Sequence, residues 1–220
     1  MSRKQKYDHP AKRELVTGAS GTGKTTFFEK LLRGEKARLK LVFDHQGEFS
    51  DRFNLPAVVD FEGLYKAVSI GGWVVFDPIK LINSVDSEGR RLGIAGAFDV
   101  FCEQVFMFAT ETPGRKILIC DELQKVTDTN KGGDHFLNCL ETGRRYELDF
   151  MGISQAPNLI HNRVRNQLTK IFAFRLTDVN ALRFLKDNSF DDQKIRNLPN
   201  GKYVWRNLNS GEAGEGGKAF

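Results

Sequence analysis

Short apolar runs alternate along the chain with segments in which apolar residues recur every three or four positions. The short runs predict buried strands, and the periodic segments predict helices. Strands are predicted at residues 14–17, 39–44, 73–78, 116–120, 149–155, 171–176 and 202–206, and helices at residues 26–33, 61–68, 92–109, 135–145 and 178–186. Most of these strands are apolar throughout, which is typical of a parallel sheet with helices on both faces. We therefore predict an α/β fold, a three-layer α-β-α sandwich around a mostly parallel sheet.

The segment between the first predicted strand and helix, GASGTGKT at residues 18–25, fits G-x-x-x-x-G-K-[ST] at every position. Its glycines let several backbone N–H groups point at one anion, and the helix N-terminus adds positive partial charge. Lys24 is expected to reach the β- and γ-phosphates of ATP, and the Thr25 hydroxyl to bind Mg²⁺. The competing interpretation is a glycine-rich turn without a ligand. We predict a P-loop NTPase of the RecA-like (ASCE) type, whose nucleotide-binding residues are Gly18, Ala19, Ser20, Gly21, Thr22, Gly23, Lys24, Thr25 and Thr26.

Two acidic residues, Asp121 and Glu122, follow the apolar strand predicted at residues 116–120. Downstream of a phosphate loop this is the Walker B pattern, in which Asp121 binds Mg²⁺ through its water shell and Glu122 orients the attacking water. Gln155 ends the next predicted strand, where its amide could contact both the γ-phosphate and the water. The alternatives are an exposed strand end for the acids and an exposed or capping role for the glutamine.

Arg144 and Arg145 precede that same strand. A guanidinium that reaches the transferring phosphoryl group accelerates hydrolysis, often from a neighbouring subunit. Either arginine could act in this way, and the alternative is a solvated pair near the negative end of a helix dipole.

Residues 152–177 contain no acid but several basic residues, and such a surface suits phosphate backbones. Candidate DNA contacts in this window are Arg163, Arg165 and Lys170, and the alternatives are a subunit interface or a second source of a catalytic arginine. Lys131, in a glycine-containing loop predicted to be mobile, is a further candidate for DNA contact.

Composition divides the 220 residues into a basic arm, one domain and a tail. Of the formal net charge of +5, residues 1–13 contribute five basic side chains against one acid. This arm suits either an anionic partner or plain solvation. The three scattered cysteines suggest a reducing compartment, and we expect no membrane-spanning segment. The predicted domain spans residues 14–207, and the glycine-rich residues 208–220 are expected to be flexible.

The motifs together resemble those of the HerA/FtsK superfamily of DNA-pumping ATPases. The resemblance rests on the phosphate loop, the turn D-x-x-G-E from Asp44 to Glu48, the Asp121-Glu122 pair, the G-R-R segment, and the strand ending Ser154-Gln155. It covers about residues 14–207, although His45-Gln46 departs from the commoner residues of that turn. Because only the motor core is expected here, the chain is most similar to the small genome-packaging ATPases of membrane-containing, tailless icosahedral viruses.

That resemblance implies a homo-oligomer, a hexameric ring that uses ATP and Mg²⁺ to thread double-stranded DNA into a preformed capsid. Its partners would be vertex or portal proteins of the capsid, which could be membrane-associated, and its location the host cytoplasm and the packaging vertex of the virion. The nucleotide would lie between subunits, so that Arg144 or Arg145 acts in trans, and Asp44 and Glu48 would lie near the metal and water. The alternatives are a phage assembly or secretion ATPase of the same superfamily, and a nucleotide-dependent structural switch with little turnover.

Overall fold

A computed structural model describes residues 11–127 and 133–217. Most of the predicted basic arm and Lys131 therefore lie outside the described residues. The strands are β1 Arg13–Thr17, β2 Leu39–Phe43, β3 Ala57–Val58, β4 Gly72–Phe76, β5 Lys116–Cys120, β6 Leu148–Ser154, β7 Lys170–Phe174, β8 Lys202–Asn207 and β9 Ala213–Gly217. The helices are α1 Lys24–Gly34, α2 Glu48–Phe53, α3 Phe61–Ile70, α4 Ile79–Ile82, α5 Gly93–Glu111, α6 Leu123–Val126, α7 Asp134–Thr142, α8 Asn162–Arg165, α9 Val179–Asp187 and α10 Asp192–Arg196.

All nine strands join one sheet in the order β3-β4-β2-β5-β6-β1-β7-β8-β9. The strands from β3 to β7 in this order pair in parallel, whereas β8 and β9 are antiparallel. The first strand of the chain lies between β6 and β7, so its carboxyl end is flanked on both sides. The predicted mostly parallel α/β sheet is confirmed.

Each face of the sheet has its own hydrophobic core, because the strands are apolar on both sides. On one face, Phe27, Phe28 and Leu32 of α1 pack with side chains such as Val16 and Ile119. The opposite core is larger and is built from α5, α7 and α9 against the other faces of the strands. The three-layer sandwich is therefore confirmed, with the long helix α5 inside it.

Length and composition alone would allow α5 to cross a bilayer, since its mean hydropathy is 1.2 over an 18-residue window. Its Phe98, Phe101, Cys102 and Val105 are buried, however, and belong to the larger core. These contacts make α5 a core helix of this fold.

The expectation of a flexible tail is wrong for residues 213–217, which form the edge strand β9. Gly214 is opposite Trp205, and Gly216 is opposite Tyr203. A Cβ atom at Gly216 would come within 2.1 Å of the Tyr203 ring. Aromatic side chains of β8 thus cover the glycines of β9, which is a known way to stabilise a strand without side chains of its own.

Candidate active site

The carboxyl ends of the central strands surround a cavity of about 340 Å³. In parallel sheets this edge is where ligands bind. The cavity is lined by Ser20, Gly21, Gly23, Lys24, Thr25, Thr26, Gln46, Glu48, Arg52, Asp121, Glu122, Ile153 and Gln155. Residues predicted separately from the phosphate loop, the acidic pair and the polar strand end therefore meet at one place.

The phosphate loop has the backbone that its glycines permit. Gly18, Gly21 and Gly23 all have positive φ, at 155°, 72° and 97°. A Cβ at Gly18 would lie 2.6 Å from Cβ of Phe174, so no side chain fits there. The remaining predicted members that do not line the cavity, Ala19 and Thr22, shape the loop, since Thr22 Oγ1 donates to Ala19 O over 2.8 Å.

Lys24 is buried and folds back over the loop, where its Nζ donates to Ala19 O over 2.7 Å. Burial lowers the pKa of this ammonium group, and the negative charges of Asp121 and Glu122 oppose that effect. The two carboxylates thus partly offset the effect of burial on an amine that lies inside the cavity where phosphates would bind.

The phosphate loop is contacted by the residues that follow β7 and by those that precede β8. The Ala19 N–H donates to Arg175 O over 2.8 Å, and the Gly201 N–H donates to Thr22 O over 3.0 Å. The Tyr203 ring lies 4.4 Å from the ring of Phe27 on α1, measured between centroids. The hairpin β8–β9 is thus in direct contact with the loop and with its helix.

Asp121 directly follows β5 and lines the cavity together with Thr25. Burial raises its pKa to about 6, with further increases from the neighbouring Glu48 and Glu122, while a hydrogen bond from the Glu122 N–H opposes the change. A desolvated carboxylate beside a hydroxyl is the oxygen donor set that suits Mg²⁺. Asp121 and Thr25 therefore fit the predicted metal site.

Glu122 lies at a bend where its own backbone adopts the left-handed conformation, with φ of 47°. Its Oε2 contacts Gln46 Nε2 and Lys125 Nζ, and it lies 3.7 Å from His45 Nε2. Its Oε1 lies 3.5 Å from Nε2 of Gln155. The predicted water-orienting acid and the predicted sensor are thus adjacent.

The turn after β2 divides its two acids between different tasks. Glu48 lines the cavity and pairs with Arg52 over 3.8 Å. Asp44 is buried outside the cavity lining, where its Oδ2 accepts from the Ser50 N–H over 2.9 Å. Asp44 therefore holds the start of α2 in place, and Glu48 is the acid that the turn presents to the cavity.

Three residues at the site were missed by sequence reasoning: Gln46, Arg52 and Lys125. Arg52 had a usable signal, since it follows Glu48 by four positions and such pairs meet on one face of a helix. Gln46 and Lys125 reach the site only because the turn after β2 and the helix α6 are adjacent in space.

Arg144 and Arg145 lie far from this cavity within one chain. They belong to a 3-10 turn at Gly143–Tyr146, immediately before β6, and both are exposed. Because β6 runs parallel to β1, this turn is at the amino edge of the sheet, opposite to the phosphate loop. The helix predicted to run to residue 145 ends instead at Thr142.

The basic residues of the 152–177 window each have a different partner within the chain. Arg163 on α8 pairs with Glu141 over 3.0 Å, and the Arg165 guanidinium lies 5.4 Å from the centre of the Phe184 ring. Lys170, at the amino end of β7, lies 4.2 Å above the Trp205 ring. The aliphatic and aromatic contacts of Arg165 and Lys170 hold these two residues along the protein surface.

Comparison with known proteins agrees with this geometry. Residues 7–61 match the family described as the DNA-binding domain of type IV secretion-system coupling proteins. Protein P9 of Pseudoalteromonas phage PM2 is 26% identical over 192 residues, which cover 87% of this chain and 81% of that protein.

Solved structures share the fold over nearly the whole chain. The genome packaging NTPase B204 of Sulfolobus turreted icosahedral virus 2, in complex with AMPPCP, superposes with a TM-score of 0.72 at 15% identity, covering 94% of this chain and 97% of that one. VirB4 of Thermoanaerobacter pseudethanolicus superposes with a TM-score of 0.62 at 10% identity, covering 92% and 88%. In sequence the chain is thus similar to protein P9 of phage PM2 and, over residues 7–61, to the coupling-protein family, and in fold it resembles the NTPase B204 and VirB4.

Proposed function

We propose that the chain is an ATP-hydrolysing translocase of double-stranded DNA that packages a viral genome into a preformed capsid. The observation that carries this proposal is the single cavity that unites the phosphate loop, Asp121, Glu122 and Gln155. The likeness to phage PM2 protein P9 and to the packaging NTPase B204 supports the viral packaging context.

In this reaction the N–H groups of the loop and Lys24 bind the phosphates of ATP. Thr25 and Asp121 hold Mg²⁺, which neutralises charge on the β- and γ-phosphates when bound. Glu122 accepts a hydrogen bond from the attacking water and takes its proton as the water oxygen bonds to the γ-phosphorus and the bond to ADP breaks. Gln155, beside Glu122, contacts the same water and detects whether the γ-phosphate is present.

The exposed Arg144 and Arg145 support a homo-oligomer. Because they lie at the edge of the sheet opposite to the cavity, either arginine can reach a phosphate only on a neighbouring subunit. A hexameric ring, with the nucleotide between subunits, supplies that neighbour. Such a ring would act in the host cytoplasm and then at the vertex of the virion, against capsid or portal proteins.

For the DNA contacts we retain Arg163, Arg165 and Lys170 from the described residues, and Lys131 from outside them. The first three are held by different partners, so they would follow a phosphate backbone at several points instead of forming one anion pocket. Their contribution is expected to be independent of DNA sequence.

A second candidate function is an assembly or secretion ATPase of the same superfamily. The match of residues 7–61 to the coupling-protein family and the shared fold with VirB4 favour it. A third is a nucleotide-dependent switch with little turnover, against which the Glu122–Gln155 pair argues.

The rate of phosphate release, measured with and without double-stranded DNA, separates these functions. Stimulation by DNA is expected for the translocase, hydrolysis indifferent to DNA for the assembly ATPase, and tight binding without turnover for the switch.

Lys24→Ala is expected to reduce kcat/KM by at least about a hundredfold through lost phosphate contacts. Glu122→Gln is expected to bind ATP normally and lose about 10²–10³ in kcat. Wild-type rates in both variants would contradict the assignment of this cavity.

A further inference from the structure

The two oxygens of the Glu122 carboxylate have very different surroundings. Oε2 receives three nitrogen contacts, from Gln46, Lys125 and, at 3.7 Å, His45. Oε1 has a single long contact of 3.5 Å, to the amide of Gln155 in the cavity lining. One oxygen is therefore saturated with donors, and the other retains capacity to accept a hydrogen bond.

The elements that carry the groups around Oε2 are held by the fold, although the Lys125 side chain itself is half exposed. The His45 side chain is only 4% exposed and lies 6.1 Å from the Phe43 ring, so it cannot rotate away into solvent. Lys125 is on α6, whose Leu123 and Val126 are buried in the larger core. The turn after β2 and the helix after β5 thus bring two donors, Gln46 Nε2 and Lys125 Nζ, to one carboxylate oxygen, and the His45 ring lies beside them at 3.7 Å.

Local conformation alone does not place this carboxylate. Glu122 occupies the left-handed region with φ of 47°, which non-glycine residues rarely adopt. Its side chain is only 14% exposed although it lines an open cavity. External contacts must therefore decide which way its oxygens face.

We propose that Lys125 and Gln46 are positioning residues that anchor Oε2 of Glu122, so that Oε1 faces the cavity beside Gln155 and receives the attacking water. This rests on the proposed ATP hydrolysis and adds to it two residues that act through Glu122. The buried His45 ring lies 3.7 Å from Oε2 and limits the movement of the carboxylate on that side. Gln46 and Lys125 orient the carboxylate and do not take up the proton of the water, which goes to Glu122.

The test is steady-state hydrolysis by Lys125→Met, Lys125→Arg and Gln46→Leu. Misorientation of a general base is expected to lower kcat by about tenfold for the methionine and leucine variants, while KM for ATP stays within about twofold. Lys125→Arg retains a donor and is expected to recover most of the lost rate. Lys66→Met is the matched control, because Lys66 is an exposed lysine that pairs with Glu62 on α3, away from the site.

Thermal unfolding of each variant separates a lost anchor from a lost fold, and Gln46→Leu leaves the charge of the protein unchanged. If the wild type hydrolyses ATP and the variants match its kcat, the anchor does not exist. A higher kcat in Lys125→Met would also overturn the proposal, since it would mean that Lys125 restrains Glu122 instead of orienting it. If the wild type itself does not hydrolyse ATP, the proposed function fails along with this inference.

Discussion

Among single residues, Asp121 shows most clearly that the site is built at the expense of stability. Its carboxyl is desolvated beside Glu48 and Glu122, and its pKa is about 6, above the ordinary value of 3.8. The folded chain therefore binds a proton more readily than the unfolded chain. Stability contributed by this proton is present below the ordinary pKa and is lost as the pH rises from about 4 to about 6.

Asp121→Asn is accordingly expected to raise the free energy of unfolding of the nucleotide-free protein at pH 7.5 by about 2 kcal/mol, after allowance for partial solvent screening. The gain should disappear below about pH 3, where the carboxyl is protonated in both states. Urea unfolding of both proteins at about pH 3 and pH 7.5 checks this. A variant that is equally or less stable than wild type at pH 7.5 would show that desolvation is not the dominant effect at this position.

Residue types and spacing were sufficient to predict the chemistry that one chain brings together. The phosphate loop, the acidic pair and Gln155 all line one cavity, because parallel strands present their carboxyl ends at the same edge. Lys125 and Gln46 could not be predicted, since their contact with Glu122 depends on how two separate connections pack. The separate partners of Arg163, Arg165 and Lys170 were equally hidden, because a local charge window does not reveal side-chain partners.

At the scale of elements, the hairpin β8–β9 is the least expected part of the fold. The buried apolar strands were evident from their composition, whereas β9 contains only Ala, Gly and Glu and has no pattern that identifies a strand. The pairing of its glycines with Tyr203 and Trp205 supplies the stabilisation that its own side chains lack. Tyr203 also packs on Phe27, Phe172 and Phe174, at 4.4, 6.0 and 5.3 Å between ring centroids.

Tyr203→Ala is therefore expected to lower stability by about 2 kcal/mol, since it removes a partly buried ring. It should also weaken ATP binding, because the ring supports both α1 and the strand that contacts the phosphate loop. Fluorescent-nucleotide titration measures the second effect. Tyr65→Ala, which removes a ring on the distant helix α3, serves as the control that should leave nucleotide affinity unchanged. Equal ATP affinity in Tyr203→Ala and wild type would show that the hairpin does not support nucleotide binding by the phosphate loop.

At the scale of the whole molecule, the two edges of the sheet differ in chemistry. The carboxyl edge holds the cavity, and the amino edge presents Arg144 and Arg145. The amino edge is stiffened by an ion-pair network in which Arg115 bridges Glu35 and Asp149, both over 2.6 Å. Arg144 and Arg145 are exposed at this same edge, where a neighbouring molecule can contact them.

Mixing wild-type protein with Arg145→Ala tests this arrangement. If the arginine acts in trans, activity should fall more steeply than the wild-type fraction, because each variant subunit disables a neighbouring site. Arg144→Ala tested in parallel identifies which arginine is responsible. Arg183→Ala, an exposed arginine on α9, is the control and should dilute activity in simple proportion. Strict proportionality for all three variants would argue against action in trans.

The position of β1 in the sheet has a consequence for how the chain is made. β1 is synthesised before the two strands that flank it, β6 and β7, which come much later in the chain. Gly18 fits against Phe174, and the Ala19 N–H is bound by the carbonyl of Arg175. Because such distant contacts form late, β1 leaves the ribosome with both edges unpaired. The phosphate loop then lacks its contacts with Phe174 and Arg175. The capacity to bind nucleotide is therefore acquired only after β7 has been synthesised and has paired with β1.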